Sequence, residues 1–154
     1  MSTKICRWIA LYCCLIGNAQ AGVLLEKLTF PGFVMQSDAI SKSCKIQEDG
    51  TLSLDISLDG MNSKRSQPMR LTKNSIKSKI NEAAAGKILS ESFPVDVPTV
   101  IYKAYQKQAN GSYTAITLYE ANGGSGEKKT NDAQSAKTLM NFIDVNCGDP
   151  LAYR

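Results

Sequence analysis

The chain has 154 residues, with 18 Lys+Arg against 14 Asp+Glu, a formal charge of +4 and no histidine. The missing imidazole excludes Ser-His-Asp and Cys-His nucleophile activation, and with them histidine-ligated zinc or copper sites. Carboxylate chemistry, Ser/Lys chemistry and calcium held by oxygen ligands remain open.

In chain order the first signal is the N-terminus. Lys4 and Arg7 precede an apolar run from Trp8 to Gly17, and Ala19-Gln20-Ala21 follows as an A-x-A site. The pattern predicts a secretory signal peptide over residues 1–21, cleaved after Ala21. The run is about ten residues, half of the roughly 20 that a bilayer-spanning helix needs, so no stable membrane insertion is expected after cleavage. Cleavage removes Cys6, Cys13, Cys14, the lone Trp8 and two positive charges, leaving 16 basic residues against 14 acidic ones. A chain so nearly neutral lacks the basic patch that nucleic-acid binding requires. The terse leader points to a bacterial source, and the expected location is the periplasm or the cell exterior.

What remains reads as a single α+β domain over residues 22–147, large enough for its own core, with a flexible tail at 148–154. Its two cysteines, Cys44 and Cys147, pair most simply with each other in an oxidising compartment. They lack the C-x-x-C spacing of a redox-active pair, so the bridge is expected to be structural.

Val23 to Phe30 reads as a strand, ended by Pro31-Gly32. Residues 33–43 are ambiguous. Ser43 to Glu48 is strand-like, and Asp49-Gly50 is a hairpin turn signal. Leu52, Leu54, Ile56 and Leu58 then alternate with polar residues, a half-buried strand that Asp59-Gly60 closes. Met61 to Gln67 reads as a polar loop, and Pro68 to Leu71 as an edge strand. From Thr72 a helix is expected, with Ile76, Ile80, Ala83 and Ala84 on its buried face and Gly86 at its C-terminal cap.

Residues 88–98, with Pro94 and Pro98, read as a connection. Thr99 to Lys107 and Ser112 to Glu120 form a hairpin around Asn110-Gly111, which in a bacterial protein is a turn and not a glycosylation site. A two-residue turn there places Tyr105 opposite Ile116 and Tyr102 opposite Tyr119. Asn122 to Gly126 is a glycine-rich loop. The last helix is expected to begin near Asn131, with Gln134 completing a capping box, and to bury Ala136, Leu139, Met140 and Ile143 beside Phe142. The expected fold is an antiparallel sheet of four to six strands, two helices packed on one face, and one structural disulfide.

Few residues point to a site. Asp55, Ser57 and Asp59 match the start of a calcium loop, but Ser66 stands where the twelfth position needs a bidentate Glu, and the run lies on a strand. No metal site is therefore expected. Gly123, Gly124 and Gly126 fit neither a P-loop nor a dinucleotide fingerprint, so no cofactor is expected. Tyr102, Tyr113 and Tyr119 fall on one face of the hairpin and form a candidate interaction surface, since tyrosine is favoured at interfaces.

The composition points to an exported, non-enzymatic binding protein whose partner is another protein. An inhibitor of a protease or lysozyme is the concrete version, with Met61–Gln67 and Asn122–Lys129 as insertion loops. The alternatives are a structural subunit of an envelope or appendage assembly, and a histidine-free hydrolase using two convergent carboxylates.

Overall fold

The structure, a computed structural model, describes residues 22–32, 39–58 and 61–148. The expected signal peptide, the Asp59-Gly60 turn and the tail beyond Gly148 lie outside the described residues.

Ten elements follow one another in the chain. They are β1 (Val23–Phe30), β2 (Ile40–Gln47), β3 (Thr51–Leu58), β4 (Met61–Pro68), α1 (Lys73–Ala84), β5 (Ile88–Ser92), β6 (Thr99–Lys107), β7 (Tyr113–Asn122), β8 (Glu127–Asn131) and α2 (Gln134–Cys147). All strand pairs are antiparallel, in one sheet ordered β4-β3-β2-β1-β6-β7-β8-β5. The class is α+β, with one disulfide between Cys44 and Cys147.

Eight strands among the described residues exceed the four to six expected. The additional ones are polar. Met61–Gln67 is not a loop but most of β4, paired residue for residue with β3 from Leu58↔Met61 to Thr51↔Pro68. Residues 88–92, expected within a connection, form β5, and much of the expected 122–129 loop belongs to β7 and β8. Every residue of β4 and β5 is exposed. A strand with neither face covered has no reason to alternate apolar and polar residues, so the period-two signal is absent there. Of the edge strand expected over Pro68 to Leu71, only Pro68 is in a strand, as the last residue of β4, and residues 69–71 fall after it.

The core gathers Leu24, Leu25, Ile46 and Leu52 from the first three strands, Ala104 and Leu118 from the hairpin, Ile76, Ile80 and Ala83 from α1, and Ala136, Leu139 and Ile143 from α2. Ala84 was expected among them and is exposed. On β3 only Leu52 of the four alternating aliphatics is fully buried, while Leu54, Ile56 and Leu58 are half-buried. The apolar face continues beyond the main core.

Close approach of neighbouring atoms requires glycine at Gly86 and Gly123, among other positions. A Cβ on Gly86 would meet Asn131 Oδ1 at 2.1 Å, and one on Gly123 would meet the Val97 carbonyl oxygen at 1.8 Å. Gly86 follows α1 as expected, but its role is to admit Asn131. That residue is the buried junction of the fold: its Nδ2 donates to the Ala83 and Thr117 carbonyls, and its Oδ1 accepts the Ala133 N–H. Asn131 is therefore the end of β8 and not the cap of a capping box. Ala133 is the N-cap of α2, and it makes no side-chain capping bond.

The hairpin also departs from expectation. Gln108 N–H bonds to the Ser112 carbonyl, leaving a three-residue loop of Ala109, Asn110 and Gly111, with Gly111 at φ 84°. This is the turn-plus-αL arrangement of three-residue hairpins. It pairs Tyr105 with Ala115 and Ala104 with Ile116. A bulge between Tyr102 and Lys103 then restores the expected pairing of Tyr102 with Tyr119.

Candidate functional site

The register of three strands builds the centre of the site. Lys27 of β1 lies opposite Cys44 of β2 and Tyr102 of β6. Cross-strand partners share a face, so all three side chains meet the C-terminal half of α2. There Cys147 closes the disulfide, with a Cα–Cα distance of 6.0 Å. Asp144 stands one helical turn earlier on α2, on the same side as Cys147. Lys27 Nζ donates to Asp144 Oδ1 at 2.6 Å, and Tyr102 OH donates to the same oxygen at 2.8 Å. The Lys27 ammonium also sits 5.0 Å from the centre of the Tyr102 ring, within cation–π range.

Around this cluster lies a cleft of about 450 Å³, lined by Lys27, Thr29, Lys42, Leu54, Val100, Tyr102, Asp144 and the disulfide. It shares Val100, Tyr102 and Asp144 with a second hollow of about 410 Å³, where Phe93, Pro98, Tyr119 and Met140 supply an apolar wall. At its other end it shares Leu54, Cys147 and Gly148 with a third, which adds Arg65, Gln67 and Asn146. The three make one groove along α2, apolar at one end and basic at the other.

The electrostatics favour fixed charge over proton transfer. Burial works against the Lys27 ammonium, but its hydrogen bonds to Asp144 and Tyr102 outweigh that and hold its pKa above the ordinary 10.5. Burial raises the Tyr102 phenol above 10.0; Lys27 opposes the rise and Asp144 adds to it. At neutral pH one group is therefore a cation and the other a neutral donor. Asp144 is the single acid lining the groove among the described residues.

The tyrosines expected to share an outward face do not. Tyr102 is only 9% exposed and belongs to the core, and Tyr119 packs against that core with its ring edge-on to Tyr102 at 6.1 Å. Tyr113 is half-buried and donates to Glu48 at 3.0 Å. Glu48 in turn accepts from Lys77 of α1, and these two hydrogen bonds draw its carboxyl below the ordinary 4.5. Away from the groove, Tyr105 donates to the buried Glu26, and Lys45 lies 3.6 Å from the same carboxylate. Burial first, then Glu26, raises the Tyr105 phenol far above its usual range.

The partial calcium motif is not assembled as a loop. Asp55 and Ser57 lie on β3, with Asp55 3.9 Å from Lys64, and Asp59 is outside the described residues. Among the described residues no three acidic or cysteine side chains gather into a metal-sized group.

Sequence reasoning passed over Lys27 and Asp144. A signal was present for Asp144, which is three residues before a cysteine expected to be bonded to β2; Lys27 stands beside Glu26 in β1 and nothing local marks it. No protein-family model matches the chain, and none of the curated proteins matches it either.

Proposed function

We propose that the protein is an exported, non-enzymatic binding protein that holds another protein in the groove along α2. The observation that carries this reading is the Lys27–Tyr102–Asp144 cluster. Its lysine is held as a cation and its tyrosine as a neutral donor, so neither offers a base or a nucleophile at neutral pH. Carboxylate hydrolysis of the glycosidase kind uses two acids flanking the scissile bond, and among the described residues the groove presents one. Pre-set donors, a single acceptor and an apolar wall suit recognition.

Both helices are read as lying over the sheet face that carries Cys44 and Tyr102, which leaves the groove open beside α2. The disulfide, and the lack among the described residues of a helix long and apolar enough to cross a membrane, are compatible with export. Inhibition of a protease or lysozyme is the concrete form of the reading. The insertion element is then the groove rim, since Met61–Gln67 is a paired strand.

The test is capture from the periplasmic or culture fraction of the source, followed by assay of the captured partner. Wild type and a Lys64→Ala control are expected to retain the same partner, and Lys27→Glu and Asp144→Lys to lose it. Equal retention by all four would remove the groove from the account. Turnover of a substrate by the purified protein would remove the non-enzymatic reading.

A further inference from the structure

The sheet ends in two open edges, and the edges complement each other. β4 and β5 are exposed along their whole lengths, and among the described residues no element covers either outer edge. β4 carries Lys64 and Arg65 and no acid; β5 carries Glu91 and no base. β5 also exposes Ile88 and Leu89, at 43% and 54%. We propose that these edges join copies of this chain head to tail, β4 of one against β5 of the next, with Arg65 opposite Glu91.

Three features converge on that pairing. With eight antiparallel strands, β4 and β5 run in opposite directions, so extending the sheet by a second copy presents them antiparallel. The directions of the backbone groups agree. Met69 N–H bonds inward to Gly50 and Phe93 N–H bonds inward to Gly126. Along a strand successive residues turn their N–H and C=O groups to opposite sides. Lys64 and Ser66 on β4 and Ser90 and Ser92 on β5 therefore face outward. Setting Arg65 opposite Glu91 places Ser66 opposite Ser90 and Lys64 opposite Ser92, so outward groups meet outward groups.

The side-chain faces agree as well. Arg65 pairs with Leu54, and Glu91 leads through Lys128 and Ala121 to Val100, so both lie on the face of the groove. Glu91 now sits 3.0 Å from a half-buried Lys128, and its own carboxylate is exposed and within reach of a neighbouring copy. A head-to-tail contact does not close on itself as a two-fold contact does, so the product is a series of lengthening oligomers. This goes beyond the groove reading, with which it shares Arg65, and oligomer mass is read independently of partner capture.

The test is the mass of the oxidised protein by light scattering across a concentration series. Wild type is expected to rise continuously in mass. Arg65→Glu alone and Glu91→Arg alone are expected to stay monomeric, because each places like charges across the join. Mixing the two in equal amounts is expected to restore growth, since each then meets an opposite charge at both edges. Both residues are exposed, so unchanged circular dichroism and an intact disulfide verify folding. A wild type that remains monomeric, one that stops at a dimer through pairing of two like edges, or a mixture that fails to recover would each overturn the proposal.

Discussion

Along β1, Leu25 is buried between Ile46 of β2 and Ala104 of β6, and Lys27 two residues later is tied to α2 through Asp144. Cys44, opposite Lys27, is bonded to the end of the same helix. Along β4 no residue is buried, and one 3.9 Å ion pair between Lys64 and Asp55 supplements the ladder to β3. β5 is held similarly, by its ladder to β8 and an ion pair between its exposed Glu91 and the half-buried Lys128. Ladder bonds replace bonds to water at little net gain, whereas apolar burial drives folding. The centre therefore carries stability, and the rims are free to form contacts outside the chain.

The largest test of that contrast is removal of the disulfide. Cys44→Ala with Cys147→Ala is expected to cost about 2–5 kcal/mol in denaturant unfolding, because the bridge spans 103 residues and ties α2 to the sheet. A loss near zero would mean that packing alone fixes α2. Next is Asn131→Ala, expected to lose about 1–3 kcal/mol by leaving the Ala83 and Thr117 carbonyls and the Ala133 N–H without their partner. If the variant is as stable as wild type, water has taken the place of the amide.

The centre is also expected to weaken in alkali. Lys27 and the phenols of Tyr102, Tyr105 and Tyr113 all have pKa values raised on folding. Their protonated forms stabilise the fold below the ordinary values of 10.0 and 10.5, and that stability is lost as pH climbs through the raised ones. Glu48 acts in the opposite direction: its lowered pKa contributes above 4.5 and is lost as pH falls through the folded value. Urea midpoints measured from pH 9 upward should decline, and Lys27→Met with Tyr102→Phe should flatten the decline. The smallest effect belongs to the rim. Lys64→Ala is expected to change stability by no more than about 0.5 kcal/mol, and a larger loss would show β4 to be part of the cooperative unit.

The same contrast explains what was legible in the sequence. β1, β3, α1, α2 and the β6–β7 hairpin were readable because burial of one face imposes a period. The Cys44–Cys147 bridge followed from counting cysteines. β4 and β5 were not readable, since edge strands with no buried face obey only backbone pairing, and β8 has no apolar residue to set a period. The tyrosine face failed for a different reason. The extra turn residue moves Tyr113 to the face opposite Tyr102, and the bulge returns Tyr119 to the Tyr102 face, which is the one that enters the core; neither leaves a mark in hydropathy. Half of the groove was within reach: the disulfide was expected, and the spacing of Asp144 from Cys147 placed a carboxylate beside it. Lys27 needed the register of β1, which no local pattern reveals.

Amide hydrogen exchange at low and high protein concentration tests the division between centre and rims most directly. The account predicts the slowest exchange in β1, β2 and β6 at both concentrations. It predicts fast exchange at Lys64, Ser66, Ser90 and Ser92 in dilute protein, slowing as the protein is concentrated. Protection of those four amides equal to that of β1 in dilute protein, or no slowing on concentration, would contradict it.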